Sequence, residues 1–120
     1  MIELPERDMS RLRDMLENAR LALQFMQGKT RKDLQADTLL AYGVVRALEV
    51  IGEAAYHVTP ETRERLPEIE WANMIGMRHH IVHGYDSINY DIVWTVVQDR
   101  LEPLVEILLP VLRPRFPDLG

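Results

Sequence analysis

An all-α fold, an up-and-down bundle of four to five helices, follows from three observations on the 120-residue chain. Apolar residues recur at alternating steps of three and four along most of its length. No segment alternates residue by residue as a half-buried strand does. The breakers Gly28, Pro60 and Gly84 fall between the periodic runs, so they read as punctuation between helices joined by short loops.

The first run places Met9, Leu12, Leu16, Ala19, Leu23 and Met26 on one stripe, and Gly28 ends it. A second opens near Asp33 and carries two adjacent stripes, Leu34, Thr38, Ala41, Val45, Leu48, Gly52 and Ala55 beside Leu40, Val44, Ala47, Ile51, Ala54 and Val58. Two stripes make a wide apolar face, which predicts a single central helix ended by Thr59-Pro60. Residues 60–66 read as a short helical turn. Residues 68–82, with Ile69, Trp71, Met74, Ile75, Ile81 and Val82, predict a third substantial helix that ends near His83-Gly84. A polar loop over 84–89 leads to a last long helix marked by Ile92, Val93, Val96, Val97, Leu101, Leu104, Val105, Leu108 and Leu112, kinked or broken at Pro103. With three prolines in 110–120, residues 113–120 read as an irregular tail of one 1–120 domain. The wide apolar stripe is read either as a helix face shared with a second copy or as a generous core of one bundle.

Composition narrows the chemistry. With no cysteine, disulfides, thiolate metal sites and thiol catalysis are excluded, as befits a reducing compartment. No apolar run reaches the roughly 20 residues that span a bilayer, and residues 1–8 carry three acids and no apolar core, so a cytoplasmic protein with neither membrane span nor signal peptide is expected. Fourteen Lys and Arg against 19 Asp and Glu give a net charge of −5, which opposes broad clamping of nucleic acid but not a small local site.

The polar anomaly is Met77-Arg78-His79-His80-Ile81-Val82-His83-Gly84-Tyr85-Asp86. It gathers three of the four histidines within five residues, beside an arginine, at the end of an apolar helix. Histidine changes charge near neutral pH and can move protons or bind metals. Arginine offers a fixed charge and a planar fork of donors matched to phosphate oxygens. Together they suit phosphoryl transfer without a metal. On a regular helix Arg78 and His83 are turned about 140° apart. Either the helix ends before His83, or two chains combine. His79 and His83 share a face only while the helix persists, and no third ligand completes a metal shell there, so no metal or cofactor is expected.

Arg78, His83 and Tyr85 form an R-x4-H-x-Y motif, and on it the chain resembles the HepT-like toxins, a branch of the HEPN superfamily of small helical nucleases. Ile51-Gly52-Glu53-Ala54-Ala55, Trp71 ahead of the motif, and the segment with Trp94 and Pro103 add to the resemblance, which covers about residues 9–112. The family implies a homodimeric, metal-independent ribonuclease, the toxin of a type VII toxin–antitoxin pair, with the motifs of two subunits facing each other across a cleft. By that resemblance Arg78 holds the scissile phosphate, His83 is general acid or base for attack by the ribose 2′-hydroxyl, and His79 is an auxiliary contact. Tyr85 is the residue to which a minimal nucleotidyltransferase antitoxin of the MntA type transfers AMP. RNA, that antitoxin and a second copy, or a higher oligomer, are the partners so implied.

The other polar and aromatic residues have plainer readings beside this one. Glu53 is read first as an ion-pair partner of Arg46 or Arg78, and as an auxiliary site carboxylate if it orients the arginine. His57 suits the C-terminal dipole of its helix, and His80 a helix boundary or subunit contact. Tyr42 and Tyr56 read as boundary aromatics, Trp71 and Trp94 as core, and Met74 and Met77 as core filling. The competing functional class is a non-catalytic HEPN module that binds nucleotides or a transferase partner. An intact Arg78 and His83 count against it.

Overall fold

The computed structural model describes residues 3–82 and 87–120. Among them run seven α-helices: α1 (Glu6–Met26), α2 (Arg31–Ala36), α3 (Thr38–His57), α4 (Pro60–Arg65), α5 (Trp71–Ile81), α6 (Tyr90–Asp99) and α7 (Leu101–Leu112). A 3₁₀ turn, Pro117–Leu119, follows. The only β pairing among the described residues is an isolated antiparallel bridge between Val82 and Ile88. The all-helical class therefore holds, with α1, α3, α5 and the α6–α7 pair as its main rods.

The core forms where the long stripes meet. α1 buries Leu12, Met15, Leu16 and Ala19 against α3, which buries Val44, Leu48, Ile51 and Ala55, while α7 covers another side of α1 with Leu101, Leu104, Leu108 and Leu112. Fully burying one such aliphatic side chain contributes about 1.5–3 kcal/mol, so this shared seam dominates stability. Gly28, at φ +73°, ends the α1 run in the left-handed conformation that glycine adopts without steric cost. Asp8, with no exposed surface, ties the start of α1 to the α3–α4 corner. Its carboxylate accepts from the Thr59 amide (3.1 Å), the Thr59 hydroxyl (2.6 Å) and the Thr62 hydroxyl.

Two predicted helices are each divided in two. The stripe from Asp33 to Val58 is broken at Asp37, whose extended backbone ends α2 and whose side chain accepts from the Leu40 amide at 3.1 Å to cap α3. α2 has a capping box of its own, Thr30 with Asp33. Leu34 and Ala41 are both buried, so the apolar period runs across a break that only the cap reveals. The last predicted helix breaks at Arg100 rather than Pro103. Pro103 is the third residue of α7, where no intrahelical hydrogen bond is due to its nitrogen. α7 also runs on through Pro110 to Leu112, since Leu108 and Leu112 are four apart and both buried. Beyond it, Arg20 donates to the Leu119 carbonyl (2.8 Å) and Arg13 pairs with Asp118 (2.8 Å), which docks the 3₁₀ turn on α1.

Candidate active site

The helix that carries the motif arginine is fixed at both ends. At its start the Trp71 indole donates to the Leu66 carbonyl at 3.0 Å, and the ring lies under the Arg63 guanidinium at 5.9 Å. Arg63 in turn donates to the carbonyls of Ala55 and Tyr56 at the end of α3 (3.3 and 2.9 Å). One side chain thus joins the last turn of α3 to the first residue of α5. In mid-helix the two axes approach closely at Gly52, where a Cβ would stand 2.9 Å from the Met74 carbonyl oxygen. Met74, Met77 and Ile81 face the core, and Arg78, His79 and His80 are left exposed on the last turn. Three groups able to carry positive charge therefore sit at the negative end of the helix dipole.

α5 stops at Ile81, before the predicted end at His83-Gly84. Val82 turns to extended backbone (φ −112°, ψ 122°), bridges to Ile88, and the Asn89 amide donates to the Ile81 carbonyl at 2.7 Å. Asn89 then caps α6, its side chain accepting from the Ile92 amide at 3.1 Å. The chain thus leaves α5 and enters α6 at one place, and residues 83–86 lie between. His83, Gly84, Tyr85 and Asp86 are outside the described residues. The helix thus ends before His83, the first of the two alternatives that the spacing of Arg78 and His83 left open. The helical register that would set His79 and His83 on one face as a metal pair does not extend past Ile81.

The other candidates take partners elsewhere. Glu53 is exposed, and it pairs with His57 Nε2 at 3.2 Å instead of Arg46 or Arg78. With Arg11, Asp14, Arg46 and His57 it lines a cleft between α1 and α3. His80 lines a small cleft between α5 and α6 together with Asn73 and Arg100. Trp71 and Trp94 are half-buried against the core rather than within it. Tyr42 and Tyr56, read as boundary aromatics, are 67% and 62% exposed.

One feature near the motif was missed in the sequence. A groove of about 590 Å³ runs between α3 and the Val82–Ile88 bridge, lined by Thr38, Tyr42, Val45, Arg46, Glu49 and Tyr90 as well as the bridge residues. Thr38, Tyr42, Arg46 and Glu49 recur at steps of four and three, so a polar stripe on the far side of the apolar face of α3 was the available signal.

The family profile described as Ribonuclease HepT-like matches residues 15–111. The chain belongs to this family. Among its relatives, "Putative RNase MJ1380" of Methanocaldococcus jannaschii is 32% identical over 100 residues, covering 81% of this chain and 92% of the relative. "Putative RNase MJ0127" of the same organism is 31% identical, covering 82% of each. "Probable ribonuclease HepT" of Thermococcus cleftensis is 30% identical, covering 77% of this chain and 87% of the relative. No solved structure matches the chain. The profile spans α5, the bridge and α6, so the turn bearing Arg78 and His79 is part of the HepT-like domain itself.

Proposed function

We propose that this HepT-like chain is a metal-independent endoribonuclease, the toxin of a toxin–antitoxin pair, acting as a homodimer. The observation that carries the reading is Arg78, exposed beside His79 on the last turn of α5, at the point where the chain leaves the helix one residue before His83. Arg78 holds the scissile phosphate through paired N–H donors and stabilises the charge that builds on its oxygens. His83 takes the proton of the neighbouring ribose 2′-hydroxyl as that oxygen attacks phosphorus. A 2′-O–P bond forms, the P–O5′ bond breaks, and the His83 of the second copy supplies a proton to the departing 5′-oxygen. The products are a 2′,3′-cyclic phosphate and a free 5′-hydroxyl. His79 adds a contact to the phosphate. Glu53, held by His57, acts as an auxiliary group only by setting charge on the neighbouring face of α3.

Silencing is by transfer of AMP to Tyr85 from a minimal nucleotidyltransferase antitoxin. The added phosphate brings negative charge into the site that Arg78 keeps for RNA, and the nucleotide blocks it sterically.

The test is cleavage of RNA in excess chelator by the purified protein beside its Arg78→Ala and His83→Ala variants. The wild type is expected to cut and each variant to lose at least a hundredfold in rate, the order of effect of removing one positioned acid–base or charge-stabilising group. Equal cutting by all three overturns the residue roles. No cutting by any favours the non-catalytic module, and activity lost to chelator overturns metal independence.

A further inference from the structure

We propose that the groove between α3 and the Val82–Ile88 bridge is a subsite for one nucleotide of single-stranded RNA next to the scissile phosphate, with the base on the Tyr42 ring and the phosphate on Arg46. The proposal rests on the ribonuclease reading and adds where the flanking strand lies. Position is the first argument. Val82 and Ile88, which flank His83 and Tyr85 in the chain, form one wall of the groove, and Arg78 lies four residues before Val82.

Size and chemistry agree with a nucleotide. About 590 Å³ falls within the roughly 300–1,000 Å³ of small-ligand sites. Tyr42 and Arg46 are one helical turn apart on α3, both exposed, and neither hydrogen-bonds another described residue. A ring and a guanidinium at that spacing are the pair that single-strand sites use, the ring taking any base face and the cation the backbone. Half-buried Glu49, about two turns beyond Tyr42 and three residues beyond Arg46, lines the same groove at the end away from the Tyr42 ring. Arg46, Glu49 and the hydroxyls of Thr38, Tyr42 and Tyr90 are among the eight residues that line it, whereas the cores of protein interfaces are depleted of charge.

The experiment measures binding of a labelled single-stranded 2′-O-methyl oligoribonucleotide to the full-length protein by fluorescence anisotropy. This ligand has no free 2′-hydroxyl, so it reads affinity without turnover. Tyr42→Ala is expected to weaken binding about tenfold or more, Tyr42→Phe to restore it, and Arg46→Ala to weaken it with a shallower salt dependence. In parallel, cleavage of ordinary RNA should show a raised KM with kcat within about twofold for Tyr42→Ala, in contrast to the loss of kcat in Arg78→Ala. Unchanged affinity in both Tyr42→Ala and Arg46→Ala overturns the subsite, even where wild-type cleavage upholds the ribonuclease reading. Weakened binding with no wild-type cleavage upholds the subsite and overturns that reading. A Tyr42→Ala protein that falls to a smaller species by light scattering overturns the subsite in favour of a contact between copies, as does a wild type that binds no oligonucleotide.

Discussion

Asp8 shows how much one buried carboxylate can hold. Burial by itself pushes its pKa up, but the Thr59 and Thr62 hydroxyls, the Thr59 amide and nearby Arg7 outweigh that and leave it below its ordinary value of 3.8. A carboxyl depressed on folding adds stability that is complete above its unfolded pKa and is lost as pH falls through the lower folded value. Asp8→Asn should therefore cost about 1.5–3 kcal/mol at neutral pH and reduce the acid sensitivity of the remainder, both read from urea unfolding between pH 2.5 and 7. Equal slopes against pH in both proteins would assign the acid sensitivity elsewhere. At the same scale, the motif was legible because Arg78, His83 and Tyr85 are defined by spacing alone. The fate of Glu53 was not: on a helix its partner four residues on, His57, competes with any arginine across the fold, and only coordinates decide.

Among the elements, the α3–α5 contact is the one on which the site depends. At Gly52 there is room for hydrogen but not for a methyl group, and the atom it would meet is backbone that cannot rotate away. Gly52→Ala should cost about 1–3 kcal/mol and lower the melting temperature by several degrees, although alanine is the better helix former. Because the displaced helix carries Arg78, we expect cleavage to fall further than the unfolded fraction accounts for; melting curves and rates at one temperature check both. Helix positions were legible from the apolar period, and their ends less so. Asp37 and Arg100 break the chain without interrupting burial, so the pattern of Leu34 to Ala41 and of Val97 to Leu101 reads straight through them. Pro103 attracted the break because proline is the stronger sequence signal, yet in a first turn it costs no hydrogen bond. The Val82–Ile88 bridge pairs single residues and leaves no period to detect.

For the whole molecule, an acidic chain of net charge −5 leaves little long-range attraction for RNA, so affinity should come from a few contacts at the motif and its groove. Light scattering is expected to give twice the 14.0 kDa of the chain, and activity should fall on dilution below the dimer's dissociation constant. A monomer with undiminished activity would contradict the two-copy site. Co-expression with a cognate nucleotidyltransferase should raise the intact mass by adenylyl units, absent in Tyr85→Phe, and remove cleavage; an unchanged mass would contradict that mode of silencing. The most direct test of the central claim is mass analysis of the products from an RNA oligonucleotide carrying a single 2′-deoxyribose at the cleaved position. Attack by the 2′-oxygen, with Arg78 on the phosphate and His83 on the proton, predicts a 2′,3′-cyclic phosphate from the all-ribose strand and no cut at the deoxy position. A cut that persists there contradicts it.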